Sequence, residues 1–212
     1  VLSYHDPDSG YLKGYIERKP GFGHRPKPGV HTSRKFSSRG DIIYDVSYSI
    51  GLDGYRADVI ADRYDANIFG GSYVFGEGLN DNETISFYLA KNHGINAKNI
   101  SSHGYGLHQA LYVLETNKRL LNSRSINILV TAPFHALRSA CKPSYSFGTP
   151  RYVIEQKRIS LNGVCPGGSL SLRVLRKSSV VKLVESALLN AENEITDTDI
   201  DLYLGIISEI SR

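Results

Sequence analysis

The residue pattern predicts an α/β chain: a three-layer arrangement in which a parallel sheet is flanked by helices, behind a small β-rich N-terminal lead-in. Two observations carry this. From about residue 65 onward, short apolar runs, glycine-rich turns and helical periodicities alternate, and strands separated by helices pair in parallel through right-handed crossovers. Before that point the chain is broken by Gly and Pro and contains one stretch, IIYDVSYSI (Ile42 to Ile50), that alternates as a half-buried strand does. A third observation bounds the class. The 212 residues are 41% hydrophobic and 22% charged, with 20 Gly and 8 Pro. That composition excludes disordered and collagen-like chains and suffices for one buried core.

The boundaries follow from these signals. Residues 1–60 read as the β-rich or irregular segment packed on the main domain, and 61–212 as the α/β domain. In the lead-in, Asp53-Gly54 is a turn signal, and His24 to Arg39 reads as an irregular surface segment. In the main domain a strand is expected at Asn67 to Gly70, then a helix from about Glu83 to Asn92, with Asp81 or Asn82 as cap and Gly94 as its stop. A second strand is expected at Asn99 to Ser102. A helix from Leu107 to about Leu121 follows, with Ala110, Leu111, Leu114 and Lys118 at helical spacing. The run INILV (Ile126 to Val130) reads as a strand buried on both faces. RYVIEQKRISL fits a short hairpin, and helices are expected from Ser178 to about Ala191 and from Thr198 to Ser211. Asp197, Asp199 and Asp201 lie at the positive end of the last helix, where their charge is favourable.

Several classes can be set aside on the same evidence. No apolar run nears the roughly eighteen residues that cross a bilayer, so no membrane span is expected. The net charge of +4 is spread rather than concentrated, and no nucleic-acid motif is present, so no nucleic-acid partner is expected. There is no G-x-G-x-x-G, no Gly-Lys-Ser/Thr and no H-E-x-x-H, and the two loop histidines His103 and His108 are spaced for different faces; no cofactor and no metal is expected. Cys141 and Cys165 are compatible with a bridge or with two thiols. The chain opens VLSYHDPDSG, without methionine or visible signal, so it reads as a soluble domain, cytoplasmic or exported according to what precedes it.

Three places carry possible chemistry. In FGGSYVFGEGLNDNET a strand runs into Gly70-Gly71-Ser72, a turn tight enough to expose a hydroxyl beside convergent backbone N–H groups; an ordinary glycine-rich loop is the plain alternative. In ISSHGYGLHQALYVL, Gly104 follows a strand and precedes a helix, placing its amide where it can donate to whatever the first loop holds. In TAPFHALRSA, His135 and Arg138 follow the next strand. His135 is a candidate oxyanion donor and Arg138 a candidate for an anionic substrate group or for loop packing. Tyr73, Tyr105, Phe134 and Tyr145 are candidate pocket walls. A serine nucleophile also needs a base, and no histidine occurs beyond His135.

In order and spacing these segments resemble the SGNH/GDSL hydrolase superfamily, from about Asn67 to Arg138. GGSYVFGEGLNDNET is similar to its first block and SSHGYGLHQALYVL to its second. The resemblance implies a flavodoxin-like sheet, Ser72 as nucleophile and first amide donor, and Gly104 as second donor. It implies a serine esterase acting on a small acyl ester, such as an acetylated carbohydrate, through an acyl-enzyme. Gly71 replaces the aspartate of G-D-S. TAPFHALR lacks the third block's asparagine, leaving His135 as its stand-in. No D-x-x-H block follows Asp197, Asp199 or Asp201. The family pattern therefore implies that the base lies beyond Arg212 and that these 212 residues alone turn over little ester. A non-catalytic binding module and an O-acyltransferase are the alternatives.

Overall fold

A computed structural model describes residues 14–117, 125–166 and 195–211. The helix expected at Ser178 to Ala191 lies outside them, and the one expected to reach Leu121 ends earlier, at Thr116 with Asn117 as its C-cap. Two antiparallel hairpins open the described chain. β1 (Ile16–Lys19) pairs with β2 (Gly23–Pro26), and β3 (Gly29–Phe36) with β4 (Ile42–Ile50). The alternation in β4 turns Tyr44, Val46, Tyr48 and Ile50 inward against Tyr15, Ile16 and Phe75. The expectation of an irregular surface segment at His24 to Arg39 is corrected here. It forms β2 and β3, and His24 is 5% exposed, because Phe22, His24 and Pro26 share the inward face in a period-2 register that the neighbouring Gly and Pro obscured.

The hairpins meet the main sheet through Arg56, which bridges Ile50 on one side and Asn99 on the other. Its buried guanidinium donates to the carbonyls of Phe75 at 2.7 Å and Gly76 at 2.9 Å and pairs with Asp81 at 3.1 Å. A buried cation is tolerable only with its donors filled in this way.

The main sheet is parallel, in the order β6-β5-β7, formed by β5 (Ala66–Gly70), β6 (Ala97–Ser101) and β7 (Ile126–Leu129). On one face Ala66, Ile68 and Ala97 pack with Val74 and Leu89. These come from α1 (Ser72–Phe75) and α2 (Ile85–His93). On the other, Phe69, Ile100 and Leu129 meet Ala110 and Val113 of α3 (Leu107–Thr116), together with Phe22, Tyr55 and Tyr105. Helices on both faces make the mixed α/β architecture expected, with small antiparallel sheets added.

Two expectations are corrected in this region. The cap of α2 is Thr84, whose Oγ1 accepts from Phe87 N–H at 3.2 Å. Asn80 and Glu83 cap each other reciprocally, closing a separate turn before the helix and taking Asp81 and Asn82 out of contention. Gly94 ends α2 in the left-handed region, at φ 67°, as expected. The second correction concerns β7. It is one of the two edge strands of the sheet among the described residues, and with Ile126 69% and Ile128 38% exposed it is not buried on both faces. A continuous apolar run fixes a strand's character but not how many neighbours cover it.

After β7 come α4 (Phe134–Ser139), the hairpin β8 (Pro150–Glu155) with β9 (Arg158–Val164), and α5 (Asp197–Ile210). Thr196 and Asp199 form the capping box of α5, whose Ile206 packs with Leu107, Leu111 and Tyr152. Cys141 and Cys165 are joined in a disulfide across 24 residues, which ties the end of α4 to the end of β9; a loop of that size gives about 3 kcal/mol of stabilisation. Among the described residues no helix is long and apolar enough to cross a membrane.

Candidate functional site

Because the three strands are parallel, the loops that follow them emerge along one edge of the sheet. Gly70 pairs with Ser101, and Phe69 with Leu129, so the turn at Gly71-Ser72, the loop at Ser102–Gly106 and the segment from Thr131 leave side by side. This is the edge on which α/β sheets place ligands. Gly70 admits no side chain, since a Cβ there would stand 2.3 Å from Val74 Cγ2. Gly71 marks the point of convergence. A Cβ on it would lie 3.0 Å from Arg138 Nη1, 3.2 Å from His135 Nε2 and 3.3 Å from Tyr105 O. The second and third loops therefore both close on Gly71, where a side chain would need its neighbours to give by a few tenths of an ångström. The expectation that the turn exposes the Ser72 hydroxyl is corrected: Ser72 is buried, at 7% exposed, because the turn leads directly into α1, where Ser72, Val74 and Phe75 are all buried.

The second loop is a β-turn in which Tyr105 N–H returns to Ser102 O at 3.3 Å. Gly104 occupies its third position with φ +72°, a conformation that excludes most other residues. The central peptide of such a turn, here between His103 and Gly104, makes no hydrogen bond within the turn. Its carbonyl instead accepts from His24 Nε2–H at 2.7 Å. His103 points inward: its Nδ1 meets Tyr15 OH at 2.9 Å and its ring lies 4.5 Å from that of Phe75. Burial holds its pKa down at about 3. His108 is likewise occupied, with Nε2 3.1 Å from Thr149 Oγ1.

The third loop supplies His135, which is 4% exposed. Its Nδ1 lies 3.0 Å from Thr131 Oγ1 and accepts from Ala132 N–H at 3.3 Å. A backbone amide can only donate, so Nδ1 is the bare nitrogen and Nε2 carries the hydrogen. That Nε2–H is buried and has no hydrogen-bond partner. Burial first, then the charge of Arg138, lowers the His135 pKa to about 3. The ring is neutral at ordinary pH, a donor of one hydrogen bond and not a base at Nε2. Buried donors left without an acceptor are uncommon enough to call for an explanation.

Arg138 is 5% exposed. It donates from Nη1 to Tyr105 O at 2.8 Å and from Nε to Tyr145 OH at 3.1 Å, and it stacks 4.7 Å over Phe134. These contacts tie the third loop to the second. Tyr105 departs from the expected pocket wall. Its hydroxyl donates to His24 O at 3.0 Å and its ring packs on Phe22. Tyr73 is the opposite case, 82% exposed at the lip with its ring 6.5 Å from that of Phe134. A cavity lined by Ser139, Cys141, Arg151, Tyr152, Asp199 and Leu202 opens between α4, β8 and α5 and shares no residue with the Gly70–Ser72 or Ser102–Gly106 loops. No group of His, Cys, Asp and Glu able to hold a metal occurs among the described residues.

No protein-family model matches the chain, and a search of curated proteins returned no match.

Proposed function

We propose that this chain carries the nucleophile and oxyanion site of a serine ester hydrolase of the SGNH type. The observation that carries the reading is the buried, unpartnered Nε2–H of His135 beside the Gly71-Ser72 turn. A neutral imidazole held in that tautomer by Thr131 and Ala132 is a donor waiting for negative charge, in the place where SGNH enzymes use an asparagine. Two further features support it. Gly104 presents a turn amide on the same edge. The order β6-β5-β7 is second-first-third along the chain, which fits the start of a flavodoxin-like sheet, whose site lies at the strands' C-terminal ends.

In this mechanism Ser72 Oγ attacks the ester carbonyl and its proton passes to a base. The tetrahedral oxyanion accepts from the amides of Ser72 and Gly104 and from His135 Nε2–H. Collapse expels the alkoxide, which takes a proton from the base, and leaves an acyl-Ser72 that water then hydrolyses. His24 Nε2, His103 Nδ1 and His108 Nε2 are each engaged elsewhere, and His135 Nε2 carries the hydrogen that would serve the oxyanion, so none of these four buried imidazoles is the base. The exposed aromatic faces of Tyr73 and Phe134 at the lip suit a small acylated carbohydrate. In the full-length natural protein, Ser72→Ala abolishes turnover of a short acyl ester such as 4-nitrophenyl acetate while the fold is retained. Undiminished turnover by that variant ends the assignment.

A further inference from the structure

We infer that His24, from the N-terminal hairpin, is a positioning residue of the oxyanion site: it holds the carbonyl of the His103–Gly104 peptide, so that the N–H of the same peptide is aimed away from the hairpin and into the site. The inference rests on the reading of Gly104 as an oxyanion donor. In a trans peptide the C=O and N–H point in opposite directions, so whatever fixes one fixes the other. The hydrogen bond that closes the turn, Tyr105 N–H to Ser102 O, does not involve this peptide, and His24 Nε2–H holds its carbonyl. A donor that must be in place before charge develops has to be held by something else, and a hydrogen bond to the carbonyl also polarises the N–H across the peptide.

The surroundings of His24 match that task. Its Nε2–H meets His103 O at 2.7 Å, and the distance is short for a neutral donor. The hairpin that carries it is joined once more to the same loop, by Tyr105 OH to His24 O at 3.0 Å, and once to the first turn of α3, by Gln109 Nε2 to Phe22 O at 3.1 Å. Gln109 Oε1 in turn accepts from Gly106 N–H at 3.1 Å. On the other side, β2 is pressed against Thr149: a Cβ on Gly23 would stand 2.5 Å from Thr149 Cγ2. The imidazole ring packs edge-on against Tyr105, with centroids 5.4 Å apart. Its Nδ1 is buried without a partner, an arrangement that disfavours histidine as mere filling, because an apolar side chain would leave no nitrogen unsatisfied. Burial also lowers the His24 pKa to about 4, which keeps the ring neutral.

The test compares two amides in the full-length protein. Glutamine places its NH2 near where Nε2 stands, and asparagine near where Nδ1 stands, so only His24→Gln can still reach the carbonyl. His24→Asn is expected to lower kcat about tenfold to a hundredfold, with KM within about twofold of wild type. His24→Gln is expected to recover most of that loss, and the Gly104 amide resonance to shift in the Asn variant and return in the Gln variant. Equal kcat in wild type and His24→Asn, equal losses in both variants, or a change confined to KM overturns the inference. One measurement needs no variant: imidazole 15N spectra of the wild type must show His24 with its proton on Nε2, and a proton on Nδ1 removes the donor and the proposal together. If Ser72→Ala retains turnover, the esterase reading fails instead, and the Gly104 resonance still reports whether His24 holds the peptide.

Discussion

The two loops that flank Ser72 are held by different means. The β6–α3 loop is buried throughout: every residue from Ile100 to Leu111 is inaccessible or nearly so, and its shape is imposed by a hairpin that lies about 80 residues earlier in the chain. The β7–α4 loop follows a strand whose Ile126 and Ile128 lie open, and its donor is oriented by residues three and four positions away, Ala132 and Thr131. On the proposed reading, in which Gly104 N–H and His135 Nε2–H both serve an oxyanion, the difference follows from what each donates. A backbone amide has no side chain with which to aim itself, so distant structure must aim it. A side-chain donor needs only its other ring nitrogen occupied, which a local turn can do.

The largest effect expected from this arrangement is on stability at low pH. Burial holds His24 at about 4 and His103, His108 and His135 at about 3, against an unfolded value near 6.5. Below that value the unfolded chain binds protons that the folded chain refuses, so stability is present in full above pH 6.5 and falls as pH drops toward 4. Each histidine contributes a slope of up to about 1.4 kcal/mol per pH unit, and two of the four, His24 and His103, hold or belong to the β6–α3 loop. Urea midpoints measured from pH 7.5 to 4.5 should fall steeply through this window, and amides of the β6–α3 loop should lose exchange protection more than those of β7. A flat profile would mean that water reaches these rings and that the contrast between the loops is false.

How much of this was legible in the sequence depended on whether the cause was local. The β5 and β6 strands, the Gly94 stop, the β8–β9 hairpin and the last helix rest on short-range patterns, and they stand close to where those patterns put them. Gly71, Ser72, Gly104, His135 and Arg138 were marked by glycines and strand ends, and the parallel sheet brings their loops to one edge. His24 was not visible because its partner is a carbonyl 79 residues away and carries no side-chain signature. The tautomer of His135 depends on a backbone amide for the same reason. The exposure of β7 and the Cys141–Cys165 pairing are facts about neighbours, which an apolar run and a cysteine count do not contain.

Next in size is the side-chain donor itself. His135→Ala removes Nε2–H without touching the β6–α3 loop, and kcat in the full-length protein should fall about a hundredfold to a thousandfold, or about 2.7–4 kcal/mol of transition-state stabilisation. KM should change little, since the donor acts on charge that appears only after attack. His135→Gln, which restores an NH2 near the same position, should recover part of the rate. Loss of stability without loss of kcat would make His135 a packing residue, and the contrast would then be between one functional loop and one inert one.

The smallest effect should come from the open side of the sheet. Ile100 on β6 is 2% exposed and packs between Phe69 and the α3 face, whereas Ile126 on β7 is 69% exposed. Ile100→Ala should therefore destabilise by about 2–5 kcal/mol, and Ile126→Thr by no more than about 0.5 kcal/mol, as read from urea unfolding of the 212-residue chain. The threonine keeps the β-branch that suits a strand, so strand propensity adds little to the change at Ile126. A loss above about 1.5 kcal/mol for Ile126→Thr would show that this face of β7 is covered in solution. The asymmetry drawn between the two sides of Ser72 would then have to be given up, because β7 would be as enclosed as β6.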